Sequence, residues 1–231
     1  MSGAGIARTT TSVSLIAAPL LGLAAAVATP ALRSTRQAEI QSIAAHQNAF
    51  YVYAICILLS SYLLVPAIFG VMNRLPDRNP AWAYVGGGLV QVSMLIAIGD
   101  AATELLYWQT GARGADLAQM AALADRYENA AGASLIYSIG GLCGLVGSVL
   151  LVAGLIRRRS VPAWAALAIP VGFVANVAGF AAASKPLLIV SYVILLAAFV
   201  RIATLPATAR VERATEIALA AAGALGPQPR V

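Results

Sequence analysis

Six stretches of the chain, each about twenty residues or longer, carry almost no charged side chains. About twenty residues of helix rise about 30 Å, the thickness of a bilayer's hydrocarbon core. No water reaches that core, so each backbone N–H and C=O must be satisfied within its own segment, and a helix does this. The runs cover Ser12–Leu32, Phe50–Met72, Trp82–Gly111, Ala131–Ile156, Val161–Ala183 and Leu187–Leu205. The expected fold is all-α: a polytopic membrane bundle of about six transmembrane helices. Residues 1–206 form a single transmembrane domain, and 207–231 form a cytoplasmic, partly disordered tail. Prolines fit the edges of the runs: Pro76, Pro80, Pro162, Pro186 and Pro206. Arg8, the first apolar run and Ala26-Val27-Ala28 also match a cleavable signal peptide, which would leave five spans in the same orientation.

Composition agrees with the runs. Hydrophobic residues make up 60% and charged residues 10%, against roughly 45–50% and about 25% in a soluble domain. That balance excludes a soluble enzyme and a disordered chain. A single histidine, His46, leaves no bis-His haem or His relay, and the single lysine, Lys185, sits in a connection rather than deep in a span. Cys56 and Cys143 lie inside apolar runs and read as small buried hydrophobes. The net charge of +6 does not point to nucleic acid, because the basic residues mark the ends of spans.

Those residues also orient the bundle. With the N-terminus inside, ten fall on the cytoplasmic side: Arg8, Arg74, Arg78, Arg157, Arg158, Arg159, Arg201, Arg210, Arg213 and Arg230. Five fall outside: Arg33, Arg36, Arg113, Arg126 and Lys185. The positive-inside rule then places both termini in the cytoplasm, in a multi-pass cell-membrane protein. The two long connections, 33–49 and 112–130, fall outside. Ile40, Ile43 and Ala44 share one helical face of the first, and Leu117, Met120, Ala121 and Ala124 one face of the second. Both read as short interfacial helices, either plain connectors or a lid over the outer mouth.

Seven of the nine acids lie in connections or the tail. Asp100 and Glu104 do not. Four residues apart in the third run, they share a helix face with Ser93 and Tyr107. An ionisable group within a span is a functional candidate by default. Asp100 lies roughly 27 Å along the helix from Trp82, towards the outer interface. Two readings follow: a solvated pair matched by Arg113, Arg126 or Lys185, or a pair held in a protein-lined pocket. At the same level other runs place Tyr53, Tyr137, Asn176 and Tyr192, while Trp108 borders the acid face. An aromatic belt at the interface explains part of this pattern. Two carboxyls on one low-dielectric face do not both ionise easily, which leaves one as a proton donor. In a tyrosine-lined apolar pocket, such an acid suits protonation of an alkene or epoxide. Aromatic faces then stabilise the carbocation.

Leu64-Val65-Pro66-Ala67-Ile68-Phe69-Gly70, Tyr84-Val85-Gly86-Gly87-Gly88, Gly144-Leu145-Val146-Gly147 and Arg159-Ser160-Val161-Pro162-Ala163-Trp164 resemble, in the order of segments, a group of six-span bacterial membrane proteins mostly lacking assigned function. A weaker similarity is to small membrane terpene cyclases of the bacterial indole-sesquiterpene type. That resemblance implies acid catalysis by carboxyl groups, carried here by Asp100 and Glu104. No DDxxD or DxDD sequence is present, and no metal or other cofactor is called for.

The expected function is therefore a metal-independent membrane enzyme acting on a lipophilic prenylated substrate from the bilayer, most concretely a terpene cyclase. Asp100 is the acid, Glu104 tunes it or takes the final proton, and Tyr53, Tyr107, Trp108, Tyr137, Tyr192 and Asn176 line the pocket. The alternatives are a small carrier or lipid-binding module using the two acids as a proton or cation site, and a non-catalytic interaction protein whose glycines serve helix packing.

Overall fold

The structure is a computed structural model that describes residues 3–30, 35–75, 81–157 and 159–205. Leu32, Arg33, Pro76, Arg78, Pro80, Arg158, Pro206 and the tail at 207–231 lie outside the described residues. Among the described residues there are eight helices and no strand. They are α1 (Gly3–Ala28), α2 (Arg36–Ala45), α3 (Gln47–Met72), α4 (Ala81–Thr110), α5 (Leu117–Glu128), α6 (Ala131–Arg157), α7 (Ala163–Ala181) and α8 (Lys185–Ala203). Six of them, all but α2 and α5, are long and apolar enough to cross a membrane. Only 28–44% of each span is buried within the protein. Residues such as Leu59, Leu95, Leu135, Leu142, Val171 and Val193 point outward, an arrangement that only lipid can cover. The chain is a multi-pass, all-α membrane protein.

The six spans close into a ring. Going round it, α1 packs on α3, α3 on α4, α4 on α6, α6 on α7, α7 on α8, and α8 back on α1. The short helices α2 and α5 lie against each other and against α4 at one end of the ring, here called the cap end. Their expected apolar faces are the ones buried: Ile40 and Ile43 on α2, Ala121 and Ala124 on α5. Side-chain oxygens start both helices. Thr35 accepts from the Ala38 N–H at 3.4 Å, and Asp116 from the Ala118 and Gln119 N–H groups at 3.0 and 3.1 Å. Gly111 lets the backbone of α2 approach, since a Cβ there would sit 2.9 Å from the Ala44 nitrogen.

The opposite end holds the main cluster of buried apolar residues. Leu15, Val71, Leu151, Leu155, Phe199 and Ile202 meet there with at most 1% exposure. Lipid tails are as apolar as leucine, so this packing rests on close van der Waals fit rather than on burial from water. Between α4 and α6, Gly86 and Gly147 bring backbone against backbone. Polar ties are few. Ser60 donates to the Ala18 carbonyl at 2.8 Å, Gln91 to the Val65 carbonyl at 3.0 Å, and Lys185 to the Val27 and Thr29 carbonyls at 2.8 and 2.7 Å. The lysine therefore closes the C-terminus of α1, where a cation also suits the helix dipole.

The runs expected at Val161–Ala183 and Leu187–Leu205 begin or end up to two residues away from the observed helices, for local reasons. Pro162 is the residue before α7 rather than part of it, and Ser184 opens α8 ahead of Pro186. The C-terminus of α7 folds back, with the Ser184 N–H on the Gly179 carbonyl at 2.8 Å and the Ala183 N–H on the Phe180 carbonyl at 3.0 Å. This motif puts Ala183 at φ 48°, where a Cβ is strained by about 1–2 kcal/mol and glycine is not. Glycine loosens the unfolded chain in return. Ala183→Gly is thus expected to stabilise the protein by up to about 1 kcal/mol, read as a higher thermal midpoint in detergent or lipid. A lowered midpoint would refute the strain.

Candidate functional site: a capped chamber inside the helix ring

Between the cap and the packed end, the ring encloses a cavity of about 540 Å³. That is ample for one drug-sized or single-chain lipophilic molecule. Its deep part is apolar, lined by Ile68, Val90, Ile169, Phe173 and Phe199. Its polar groups gather under the cap: Arg36, Glu39, Asp100, Glu104 and Glu128, with Tyr53, Tyr107, Tyr137 and Tyr192 around them.

The four-residue spacing on α4 brings Asp100 and Glu104 to this one wall, with Ser93 and Ala97 below them and Tyr107 above. The two carboxyls differ in setting. Glu104 is half-buried and accepts a hydrogen bond from the Tyr53 hydroxyl at 3.1 Å. Asp100 remains exposed and interacts with Tyr137 on α6. Among the described residues, neither carboxyl has a basic partner within ion-pair distance. Of the bases expected to match them, Lys185 is bound to α1 carbonyls, and the Arg126 Nε donates to the Ala122 carbonyl at 3.3 Å.

The base that does reach the chamber is Arg36. Its guanidinium bridges Glu39 on its own helix and Glu128 at the end of α5. It also lies over the Tyr107 ring, 5.8 Å from the centroid, and the Tyr107 hydroxyl donates to Glu128 at 2.9 Å. This cluster ties α2, α5 and α4 together across the mouth of the chamber. Sequence reading missed all three of Arg36, Glu39 and Glu128. The three-residue spacing of Arg36 and Glu39 was available as a helical pair. Glu128, 92 residues from Arg36, was not.

Glu39 lies outside the spans, and its carboxyl is held above the ordinary value of 4.5. Burial raises it most, the Arg36 guanidinium opposes the rise, and Glu128 adds to it. A raised acid contributes stability that is complete below the ordinary value and fades as pH climbs through the raised one. The cap should therefore loosen as pH rises from 4.5, and Glu39→Gln should remove that component. The check is the difference in unfolding midpoint between wild type and variant across this window. A difference that does not change with pH would contradict the burial of Glu39.

The remaining expected residues divide. Tyr53, Tyr107, Tyr137, Tyr192 and Asn176 all line the chamber. The Asn176 amide donates to the Ser191 hydroxyl at 3.3 Å, and Tyr137 meets the Tyr127 hydroxyl at 3.2 Å. Trp108 is not among the lining residues. One step along α4 turns it by about 100° from Tyr107, and it packs instead against Tyr51, with ring centroids 4.7 Å apart. Its ring nitrogen is buried without a hydrogen-bond partner. Phe50, Ser93, Phe173 and Phe199 also line the chamber and had not been named as pocket residues. Among the described residues, His, Cys, Asp and Glu side chains nowhere gather in threes as a metal site would require.

Comparison with known protein families, with curated proteins and with solved structures gave no match, so the chamber's own geometry carries the functional argument.

Proposed function

We propose that the chain is a metal-independent membrane enzyme acting on a lipophilic prenylated substrate, most concretely a terpene cyclase that begins by carboxyl protonation. The observation that carries this reading is the chamber itself. It is closed at one end, with a carboxyl pair among tyrosines at the other and an apolar aromatic recess between. The bias of basic residues along the sequence supports a cap that faces outward from the cell membrane and termini that lie in the cytoplasm.

In this reading the prenyl tail lies along Phe173 and Phe199, and its reactive alkene or epoxide meets Asp100. The Asp100 proton passes to carbon or oxygen, and positive charge develops on the adjoining carbon. The faces of Tyr137, Phe173 and Tyr192 stabilise that charge. Glu104, anchored by Tyr53, lies one helical turn away on the same wall. Ring closure moves the cation, and a proton lost to Glu104 ends the reaction, so substrate and product are isomers. The cap keeps water from trapping the cation. Asn176, held by Ser191, offers its amide oxygen to a polar group of the substrate.

The buried apolar cluster of Leu151, Leu155, Phe199 and Ile202 at the other end of the ring favours a closed reaction chamber over a carrier path. The deciding experiment supplies prenyl alcohols, prenyl epoxides and prenylated aromatics to the reconstituted protein in heavy water. An isomeric cyclised product carrying one solvent deuteron supports the enzyme. Saturable uptake of unchanged substrate would replace it with a binding or carrier role.

A further inference from the structure

The cap helices α2 and α5 lie across one end of the chamber, and the side of the ring between α6 and α7 is the least closely packed of its six contacts. Burial on α6 and α7 is greatest at the packed end and falls towards the cap. Residues seven apart on α6 record this, because they share a face. Ser148 on that face is 3% exposed. Gly141, one heptad higher, and Ser134, two heptads higher, are both exposed. Burial falls away on α7 in the same direction: Ala166 is 0% exposed, Ile169 5% and Phe180 45%. The last close approach is at Gly144, where a Cβ would lie 2.6 Å from the Phe173 ring. Above it, nothing lies within 4 Å of a Cβ at Gly141. Phe180 lines the chamber and is 45% exposed, which puts it at the edge of the chamber wall. Asp100, exposed although it lines the chamber, stands on the wall behind this gap.

We propose that the gap between the cap-side halves of α6 and α7 is a lateral portal through which a single-chain amphiphile passes from the adjoining lipid leaflet into the chamber. The floor of the portal is the Gly144–Phe173 contact, and its rim is made of small residues, Ser134, Ser138 and Gly141, facing Phe180. Such a slot passes one hydrocarbon or isoprenoid chain and leaves the polar head at the level of Asp100. This inference deepens the enzymatic reading by naming how its substrate arrives, but the test reads access alone and no turnover. A failed portal leaves the acid chemistry to its own experiment, and a failed cyclase leaves the portal standing.

The test places one thiol in the chamber. Ser93→Cys is a conservative change at a buried lining residue beside Gly144, made with Cys56→Ala and Cys143→Ala in the full chain reconstituted in vesicles. One probe is a maleimide on a long alkyl chain, which resides in lipid. The other is a sulfonated methanethiosulfonate, which resides in water. Each rate is scaled to an exposed cysteine in its own phase. The lipid probe is expected to react about tenfold faster or more on this scale. Gly141→Trp should slow it by about tenfold, and Phe180→Ala should speed it. Arg36→Gln, which breaks the cap, should admit the water probe and so show that the thiol is reactive. Reaction led by the water probe in the intact protein overturns the portal. So does a lipid-probe rate indifferent to Gly141→Trp, or labelling by neither probe. Should Gly141→Trp fail to assemble, Phe180→Ala reads the same gap in the opposite direction, and an unchanged rate there overturns it as well.

Discussion

The Asp100→Asn variant is expected to lose at least about a thousandfold in product formation while keeping its fold. The amide is nearly isosteric with the acid and can still meet Tyr137, so packing on that wall is preserved. What it lacks is a transferable proton, and nothing else on the wall replaces one. Glu104 is tied to Tyr53, and the Arg36, Glu39 and Glu128 cluster is committed to the cap. Glu104→Gln should behave differently. The initiating acid remains, but the final proton acceptor is gone, so the variant should turn over slowly and divert product towards isomers quenched elsewhere. Tyr53→Phe should fall between wild type and Glu104→Gln, since it frees the carboxylate without removing it. Product analysis of the three reconstituted variants, beside thermal midpoints that confirm folding, separates these outcomes. Wild-type product from Asp100→Asn would remove that residue from the mechanism.

The architecture was legible in the sequence because lipid leaves a chain few choices. Runs of twenty apolar residues in a bilayer become helices, and the cap helices showed ordinary amphipathic spacing because one of their faces meets water. Within the spans that signal fades. Both the ring's interior and its lipid-facing exterior are apolar, so Phe173 in the chamber and Phe69 on the outside look alike along the chain. What remained visible was chemistry out of place. Asp100 and Glu104 stood out because an acid in a span needs a reason. The cluster around Arg36 was invisible for the opposite reason. Arg36, Glu39 and Glu128 sit in connections, where charge is unremarkable, and only the packing of α2 on α5 joins them. Tyr107 and Trp108 show the limit of position alone, since neighbours on a helix point about 100° apart and one lines the chamber while the other packs outside it.

The largest structural effect is expected at Gly147. A Cβ there would lie 2.7 Å from the Gly86 carbonyl oxygen, 2.8 Å from the Val90 nitrogen and 2.8 Å from the Leu89 Cβ. Two of these three are backbone atoms, so no side-chain rotation relieves the clash. Gly86 faces the same constraint from the other side, with a Cβ 2.6 Å from the Leu151 nitrogen and 2.9 Å from the Gly147 oxygen. A methyl group at either position must push α4 and α6 apart along their whole contact. Alanine gains up to about 1 kcal/mol over glycine in helix propensity. Overpacking costs about 1–3 kcal/mol and more when the neighbours cannot yield, so the clash wins and Gly147→Ala destabilises. Gly147→Leu should prevent the ring from closing. The internal control is Gly141→Ala on the same helix, where nothing lies within 4 Å of the added atom. There only the propensity term acts, and stability should hold or rise slightly. Midpoints of denaturation in mixed detergent should therefore order as Gly141→Ala at or above wild type, then Gly147→Ala clearly below it. Equal midpoints for the two alanine variants would mean that α4 and α6 do not cross backbone to backbone. Because the same helix pair carries Asp100 and Tyr137, Gly147→Ala should also shift the carboxyl away from its partner, costing product formation in protein that is still folded.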